Sequence, residues 1–568
     1  LNKESSGQNG RLHREVLEFC RHIAGSAEIT AINLLGNYST GTSNAKSTLE
    51  VMLVIRDFQP RLMSYVKILD RRNIIFFAVD QWVFERDADR GFLGEAIAGT
   101  LIFPHITLQG KEFLHKQEIL LKKRLILEVL ENLVLNFPDL VHQLHIKPKY
   151  FMYEVMRNRV RIFPPLVYST SNFMNGTSPK KEIETISCGY TEALKQLEKD
   201  KKITVSDGYV MVRKKFVAES KNPKVRLANI SKNAPRTLFT SMFASFPQLL
   251  NFFSQNTEAL MKLQKLTVKR EQNPGRSFVD PQKYVFVPTA KGLVSIADKL
   301  DIEAFAQKIL LNGKKGKIEY ERIGGVLNDV YLIKAHTKNV ERKVLVKRFK
   351  DWGGFKWFPL SLWSFGARNI AVVGRTRLEK ECAISEFLRC NEIRVPKILY
   401  VNHSERLIFM EYIEGEDLSN AIKRIAKAKS RETEKDLAKI EKVGEVYAKV
   451  HALNVTLGDT KPENVMFDPD DNVYLLDFEQ ASHEGDKAWD VAVFLYYAGH
   501  YLQPLYSNGK AEAIAEAFVS GYLKDGGDPR TIKKASNSKY TRIFSVFTMP
   551  SIMLAMSNVC RKTERKKK

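Results

Sequence analysis

Cysteine is scarce in this chain. Its 568 residues hold five, Cys20, Cys188, Cys382, Cys390 and Cys560, scattered and without a CxxC pair. Scattered cysteines without a CxxC pair argue against a disulfide framework or a structural zinc site, and a reducing interior is the expectation. Long apolar runs are missing as well. The late stretch FSVFTMPSIMLAMSNV is broken by Ser and Pro and is shorter than a membrane span, so it reads as a buried terminal helix. The opening LNKESSGQNGRLHRE is polar where a signal peptide would be apolar. A cytoplasmic location with no membrane partner is expected. Internal repeats and low-complexity tracts are absent apart from the basic stretch RKTERKKK.

What the chain does have is an ordinary globular balance, with 44% hydrophobic and 27% charged residues. Its length exceeds what one core supports, so about two to four domains are expected. The formal charge is +24, from 89 Lys+Arg against 65 Asp+Glu. Such an excess suits a polyanionic partner, RNA or DNA, or an acidic protein face, and equally suits plain solubility.

In the first third, ITAINLLGNYS, STLEVMLVI and NIIFFAVDQWVF are β-branched and aromatic runs that read as strands. QEILLKKRLILEVLENLVL has the spacing of an amphipathic helix. GYTEALKQLEKDKKITVSDGYVMVRKKF then reads as a helix followed by a hairpin turning at Asp207-Gly208, which is how a winged helix ends. The basic stretch after it, RKKFVAESKNPKVRLANISKNAPR, can lie along phosphates or form a solvated surface. The apolar LFTSMFASFPQLLNFF reads as a segment docked on a neighbour, and KREQNPGRSFVDPQK as a linker.

Chemistry concentrates after Ile318. IEYERIGGVLNDVYLIKA reads as strand, Gly324-Gly325 turn, strand, and such a turn lets backbone N–H groups approach phosphate oxygens. KVLVKRFK is a further strand carrying Lys347, suited to α and β phosphates, and the helix RTRLEKECAISEFLRC offers Glu379 or Glu381 as its ion-pair partner. LIFMEYIEGEDL reads as a strand ending in Met410-Glu411-Tyr412-Ile413, able to present backbone groups to an adenine edge. LGDTKPENVMFDPDDNVYLLDFEQ follows a long helix. Its Asp459 and Asn464 have the D-x-x-x-x-N spacing of a catalytic loop that orients an acceptor hydroxyl and binds a metal ion, and Asp477 closes the next strand where a second carboxylate can hold Mg²⁺.

In this order the segment 318–568 resembles a protein-kinase-like fold, nearest the small atypical archaeal and eukaryotic kinases associated with the KEOPS complex and more distantly the RIO kinases. The resemblance implies ATP bound between two lobes, serine/threonine phosphorylation or a related ATPase activity, and a KEOPS-like partner. It places the helix glutamate on Glu381 and gives Asp490, in DKAWDV, the task of bracing the catalytic loop. The catalytic loop departs from conventional kinases in reading Leu-Gly-Asp, and the metal motif in reading Asp-Phe-Glu, with Glu479 in place of glycine. No long activation segment follows Asp477. Both departures are compatible with the aminoglycoside and choline kinase-like group, whose acceptors are small alcohols. Lys461, two after Asp459, resembles the serine/threonine kinase lysine that stabilises the transferring phosphate and favours a protein substrate.

LLGNYSTGTSNAKSTLEVMLVI is similar to a decayed nucleotidyltransferase motif. Thr48 and Glu50 stand where paired aspartates would hold two divalent ions, and Asp80 is either a third acid or a turn cap. The expected architecture is an α/β and α+β multidomain chain. Residues 1–145 form an inactive nucleotidyltransferase-like domain, 146–218 a winged-helix-like domain, 219–290 a helical linker region and 291–568 a bilobal protein-kinase-like domain. The expected activity is an ATP-dependent atypical serine/threonine protein kinase using Mg²⁺ or Mn²⁺. A small-molecule phosphotransferase and an ATPase switch on a nucleic-acid-associated scaffold are the alternatives.

Overall fold

In the computed structural model the described residues are 4–35, 49–69, 72–92, 95, 97–162, 180–221, 279–312, 315–324, 328–337, 340–350, 374–428, 433–502, 508–544 and 548–563. They divide into two compact units, Leu1–Val285 and Phe286–Lys568. That division falls inside the stretch 219–290.

The first unit opens with the helix Glu4–Ala24 and a five-stranded sheet. Its strands are β1 (Ile29–Leu35), β2 (Leu49–Ile55), β3 (Leu62–Leu69), β4 (Arg72–Asp80) and β5 (Ile106–Gln109), ordered β3-β4-β2-β1-β5. Only β2 and β4 run parallel. The run LEVMLVI is apolar almost throughout because β2 is central and buried along nearly its whole length, whereas a one-faced strand would alternate. Leu12, Val16 and Cys20 of the first helix pack on Ile32, Val51, Leu53 and Phe76 of the sheet.

Strand β4 stops at Asp80, so QWVF does not extend it. Asp80 accepts from Val83 N and caps the helix Gln81–Arg90, and its second oxygen accepts from Phe58 N. An Asp ahead of an apolar run is a helix start, a signal that outweighs the β propensity of Trp, Val and Phe. The helix Lys111–Asn136 carries Lys122, 1% exposed, whose ammonium reaches Glu118 at 2.5 Å and Ile186 O at 3.2 Å. Ile186 lies on the helix Lys180–Lys199, so this part of the chain packs directly on the long helix before it. Three short strands follow the same packing: β6 (His145–Ile146), β7 (Ile203–Ser206) and β8 (Tyr209–Val212). The hairpin turn has Asp207 at φ 52° and Gly208 at φ 76°, the doubly left-handed geometry that an Asp-Gly pair tolerates. The basic stretch begins as the helix Lys214–Lys221; the remainder of it, LFTSMFASFPQLLNFF and residues 269–278 of the expected linker lie outside the described residues.

The second unit opens with a hairpin of β9 (Val285–Thr289) and β10 (Gly292–Ser295). An antiparallel sheet follows, made of β11 (Lys317–Gly324), β12 (Asn328–Thr337), β13 (Val340–Phe349), β14 (Ile398–Asn402) and β15 (Leu407–Glu411), ordered β11-β12-β13-β15-β14. The helix Gly374–Cys390 lies between β13 and β14 in sequence. A helical core follows, built on Glu434–Ala452, Lys487–His500, Asn508–Lys524 and Pro550–Lys562. The last of these covers only part of FSVFTMPSIMLAMSNV. Phe544 ends a separate short helix, and Pro550 opens the next at a position where its missing N–H costs nothing.

Two glycines let the helices Glu434–Ala452 and Asn508–Lys524 touch. A Cβ on Gly521 would stand 1.9 Å from Glu441 O, and one on Gly444 would stand 2.3 Å from Phe518 O. Backbone atoms cannot yield as a side chain can. Gly521→Ala therefore costs about 2 kcal/mol, and thermal denaturation of the full chain is expected to show a midpoint roughly 4–8 °C lower for this part of the molecule. An unchanged midpoint would contradict the close contact. Among the described residues, no helix is long and apolar enough to cross a membrane.

Candidate active site

Strand β13 buries Val344 and Val346 on one face and Lys347 and Phe349 on the other, with Lys347 opposite Val330 on β12 and Ile408 on β15. It is 6% exposed. An ammonium so buried requires counter-charge, and three carboxylates supply it: Asp477 Oδ1 at 2.7 Å, Glu479 Oε2 at 3.2 Å and Glu381 Oε2 at 3.3 Å. Burial alone would depress the lysine's pKa, but Asp477, Glu381 and Glu479 outweigh it and hold it above the ordinary value. Burial pushes Glu381 up to about 7, against the pull of Lys347. Asp477 moves the other way. Burial opposes its charge, but Lys347 holds its carboxyl below the usual range.

Of the two helix glutamates, Glu381 faces Lys347 and also accepts from Phe478 N at 2.8 Å. Glu379 pairs instead with Arg375 one turn earlier, at 3.1 Å.

The loop bearing Asp459 follows β17 (Val455–Thr456) and is held from behind. Asp490 accepts from Leu457 N at 2.6 Å and Gly458 N at 2.7 Å, and from His451 Nε2 at 3.1 Å. Its backbone oxygen accepts from the Thr460 hydroxyl, and Trp489 Nε1 donates to Gly458 O. A carboxylate taking adjacent backbone N–H groups fixes the loop without entering the chemistry. Asp459 then meets Lys461 at 2.7 Å. Burial raises the Asp459 pKa, Lys461 opposes the rise, and the charges of Asp477 and Glu479 add to it. Partial burial works against the Lys461 charge, but Asp459 more than offsets that and holds it above its ordinary value.

Asn464 ends a short 3₁₀ turn and donates its amide to Asp459 O at 2.8 Å, so the loop closes on itself and the amide's oxygen end is the one left to accept. The following hairpin pairs β18 (Val465–Phe467) with β19 (Val473–Leu475). Its acidic tip is internally satisfied: Asp468 accepts from Asp470 N and from Asn472 N. Asp468 therefore serves the turn, and Asp471 pairs with Lys439 at 3.4 Å, away from Lys347. Leu476 N donates to Asn464 O, which ties Asp477 to the loop. Asp477 itself sits at φ 64°, a left-handed conformation that costs a non-glycine residue on the order of 1 kcal/mol and persists where surrounding structure imposes it.

Two expectations need correction. Gly324 is not half of a free turn: it is the last residue of β11, opposite Val330, where the register shifts, and Gly325 lies outside the described residues. The strand read through Ile413 ends at Glu411, which pairs with Val344 and whose N–H already donates to Lys397 O at 2.9 Å. Tyr412 and Ile413 continue in irregular backbone, with Ile413 buried and Tyr412 near the Lys343 ammonium.

Asn464 and Asp477 would offer two oxygen donors, one of them anionic, a set that would suit a hard cation such as Mg²⁺. Among the described residues no group of three or more His, Cys, Asp or Glu is arranged to hold a metal alone. A two-residue site of this kind completes its shell with phosphate oxygens and water.

A protein kinase domain profile matches residues 367–501. The C-terminal region carries a protein kinase domain. Over 181 residues, 29% of this chain and 84% of the relative, the sequence is 28% identical to a probable serine/threonine-protein kinase BUD32 homolog of Archaeoglobus fulgidus. A solved structure of WaaP in complex with acyl carrier protein covers 46% of this chain and 96% of its own at 13% identity, with a TM-score of 0.25. A kinase domain is an ATP-dependent phosphotransferase. Lys347, Glu381 and Asp477 meet here within hydrogen-bonding reach.

The sequence reading missed Arg377 and undervalued Glu479. Arg377 is fully buried one helical turn before Glu381, and its Nη2 lies 2.7 Å from Glu479 Oε1. The available signal was the charge itself. An acid replacing glycine beside a metal aspartate needs a cation, and Arg377 shares a helix face with Glu381.

Proposed function

We propose that the kinase domain transfers the γ-phosphate of ATP to a serine or threonine hydroxyl of a protein. The observation that carries this reading is the junction of Lys347 with Glu381 and Asp477, set beside a loop on which Asp459 and Lys461 are paired. Lys347 holds the α and β phosphates, fixed in place by Glu381. Backbone groups of Glu411, Tyr412 and Ile413 receive the adenine edge; the Glu411 N–H is taken, so its carbonyl and the amides after it serve. Backbone N–H groups at Gly324, the last residue of β11, and at Gly325 approach the phosphate oxygens. Asp459 accepts the hydrogen bond of the acceptor hydroxyl and aligns it for in-line attack. The hydroxyl oxygen forms the new bond to phosphorus, the bond to the β-bridging oxygen breaks, and the proton leaves toward Asp459. Lys461 meets the charge that develops on the transferred group. Mg²⁺ or Mn²⁺ bound by Asn464 and Asp477 would neutralise phosphate charge.

Lys461 favours a protein acceptor over a small alcohol, and the similarity to the BUD32 homolog agrees with that choice. A KEOPS-like partner is proposed on the sequence resemblance. Binding of RNA or DNA by the basic middle segment, and a cytoplasmic location, are proposed on composition. For the first unit we retain an inactive nucleotidyltransferase-like and winged-helix-like reading. Residues 36–48, with Gly36, Gly41, Ser47 and Thr48, lie outside the described residues. The inactive reading is supported by Asp80, whose oxygens are occupied by Phe58 N and Val83 N, and by burial, which pushes Glu50 toward its neutral form.

The test is the full chain incubated with γ-labelled ATP and Mg²⁺ or Mn²⁺. Label on serine or threonine of this chain or an added protein is the expected result. Label released only as free phosphate would overturn the protein acceptor. Failure to bind nucleotide would overturn the whole reading.

A further inference from the structure

Arg377 is completely buried, and removing a guanidinium from water costs several kcal/mol even when it is paired. An apolar residue of similar volume would cost less. The contacts Arg377 makes point to geometry instead of stability. Its Nη1 donates to Lys350 O at 2.9 Å, just past the end of β13. Its Nη2 donates to Asn328 Oδ1 at 2.8 Å, at the start of β12, and to Glu479 Oε1 at 2.7 Å. Asn328 closes the circuit by donating its own amide to Glu479 Oε2 at 2.7 Å. One buried ring of hydrogen bonds thus joins the helix Gly374–Cys390, the start of β12, and the Asp477–Phe478–Glu479 segment.

Glu479 is also the third carboxylate on Lys347, at 3.2 Å. Asp477 makes the shortest of these contacts, yet in the reading above its carboxylate is needed elsewhere during turnover. When it leaves, a lysine held by Glu381 alone would be free to swing. With Glu479 on its other side, Lys347 keeps two carboxylates. Glu479 can serve in this way only if its second oxygen is fixed and its surplus charge balanced, and Arg377 does both.

We propose that Arg377 and Glu479 are a positioning pair for phosphoryl transfer, fixing Lys347 and the start of β12 while Asp477 is released. The pair touches neither the acceptor nor the transferred phosphate, and it takes the place that a glycine fills in the conventional metal motif. The proposal rests on the assignment of this site to ATP.

It is tested on the full chain with Glu479→Gln, Arg377→Lys and the double apolar replacement Arg377→Met/Glu479→Met, measuring kcat, KM for ATP, ADP affinity and thermal midpoint for each. The double variant is expected to melt at or above the wild-type temperature, because it removes two buried charges together. Its kcat is expected to fall about tenfold to a hundredfold, the scale of a misplaced reacting group, with ADP affinity changed less than about threefold. Glu479→Gln should lose kcat in the same direction, and Arg377→Lys should recover part of it, which a purely structural pair would not show. A double variant that folds and keeps wild-type kcat and KM would overturn the proposal. Wild-type protein that binds no ADP would instead remove the ATP assignment, and the positioning role with it.

Discussion

Asp477→Asn should reduce phosphate transfer by about a thousandfold or more while leaving the protein folded. The direction follows from charge. Burial alone would favour a neutral Asp477 carboxyl, yet Lys347 at 2.7 Å holds it below the usual carboxylate range, so the site favours an anion at this position. Asparagine is the informative replacement because it is isosteric and tolerates the φ of 64° better than alanine does. A loss of activity in this variant therefore reports the missing charge, with no added backbone strain. Stability should change little, since Lys347 retains Glu381 and Glu479. Single-turnover transfer and a thermal melt decide the matter together. Wild-type turnover by Asp477→Asn would mean that no metal carboxylate is needed there.

The second large effect is at Asp459. Asp459→Asn should lower kcat by about 10²- to 10⁴-fold, the range for a positioned acid–base group, with KM for ATP nearly unchanged because the residue faces the acceptor. The pH profile gives an independent reading. Burial is the main cause of the raised Asp459 pKa, which Asp477 and Glu479 push up further and Lys461 holds back. As pH falls, the carboxylate protonates earlier than an exposed aspartate would. Wild-type kcat should therefore be lost on an acid limb that lies above the ordinary carboxylate range. In Asp459→Asn that limb should disappear, since no proton is taken up at this position. A variant that keeps the same acid limb would assign it to another group, Glu381 with its pKa of about 7 being the first to examine.

Much of this site was legible in the chain. Lys347 sits in an alternating strand, Asp459 and Asn464 keep a fixed spacing on one loop, and Asp477 ends a short apolar run. Each is a local pattern, readable from neighbours within a few residues. The errors were local as well, but they fell at boundaries. Tyr412 and Ile413 look like strand residues, yet β15 leaves the ladder at Glu411, opposite Val344, although β13 itself runs on to Val340. Gly324 looks like a turn residue, yet a bulged register opposite Val330 keeps it in the ladder. Trp82, Val83 and Phe84 look like β residues, yet the capping bond from Val83 N to Asp80 turns them into a helix.

The sequence by itself determined the order of the elements around the site, the residues proposed for phosphoryl transfer, and the absence of a CxxC pair or an apolar run of membrane length. The family resemblance pointed to Glu381 while the residues by themselves left Glu379 open, and tertiary structure decided between them by turning Glu381 toward Lys347 and Glu379 toward Arg375. Tertiary structure also decided that Glu479 belongs to the site. Arg377 and Glu479 are 102 positions apart and Asn328 and Glu479 are 151 apart, so no local period connects them. Their ring of hydrogen bonds forms because burial leaves each charge no solvent and only the others as partners.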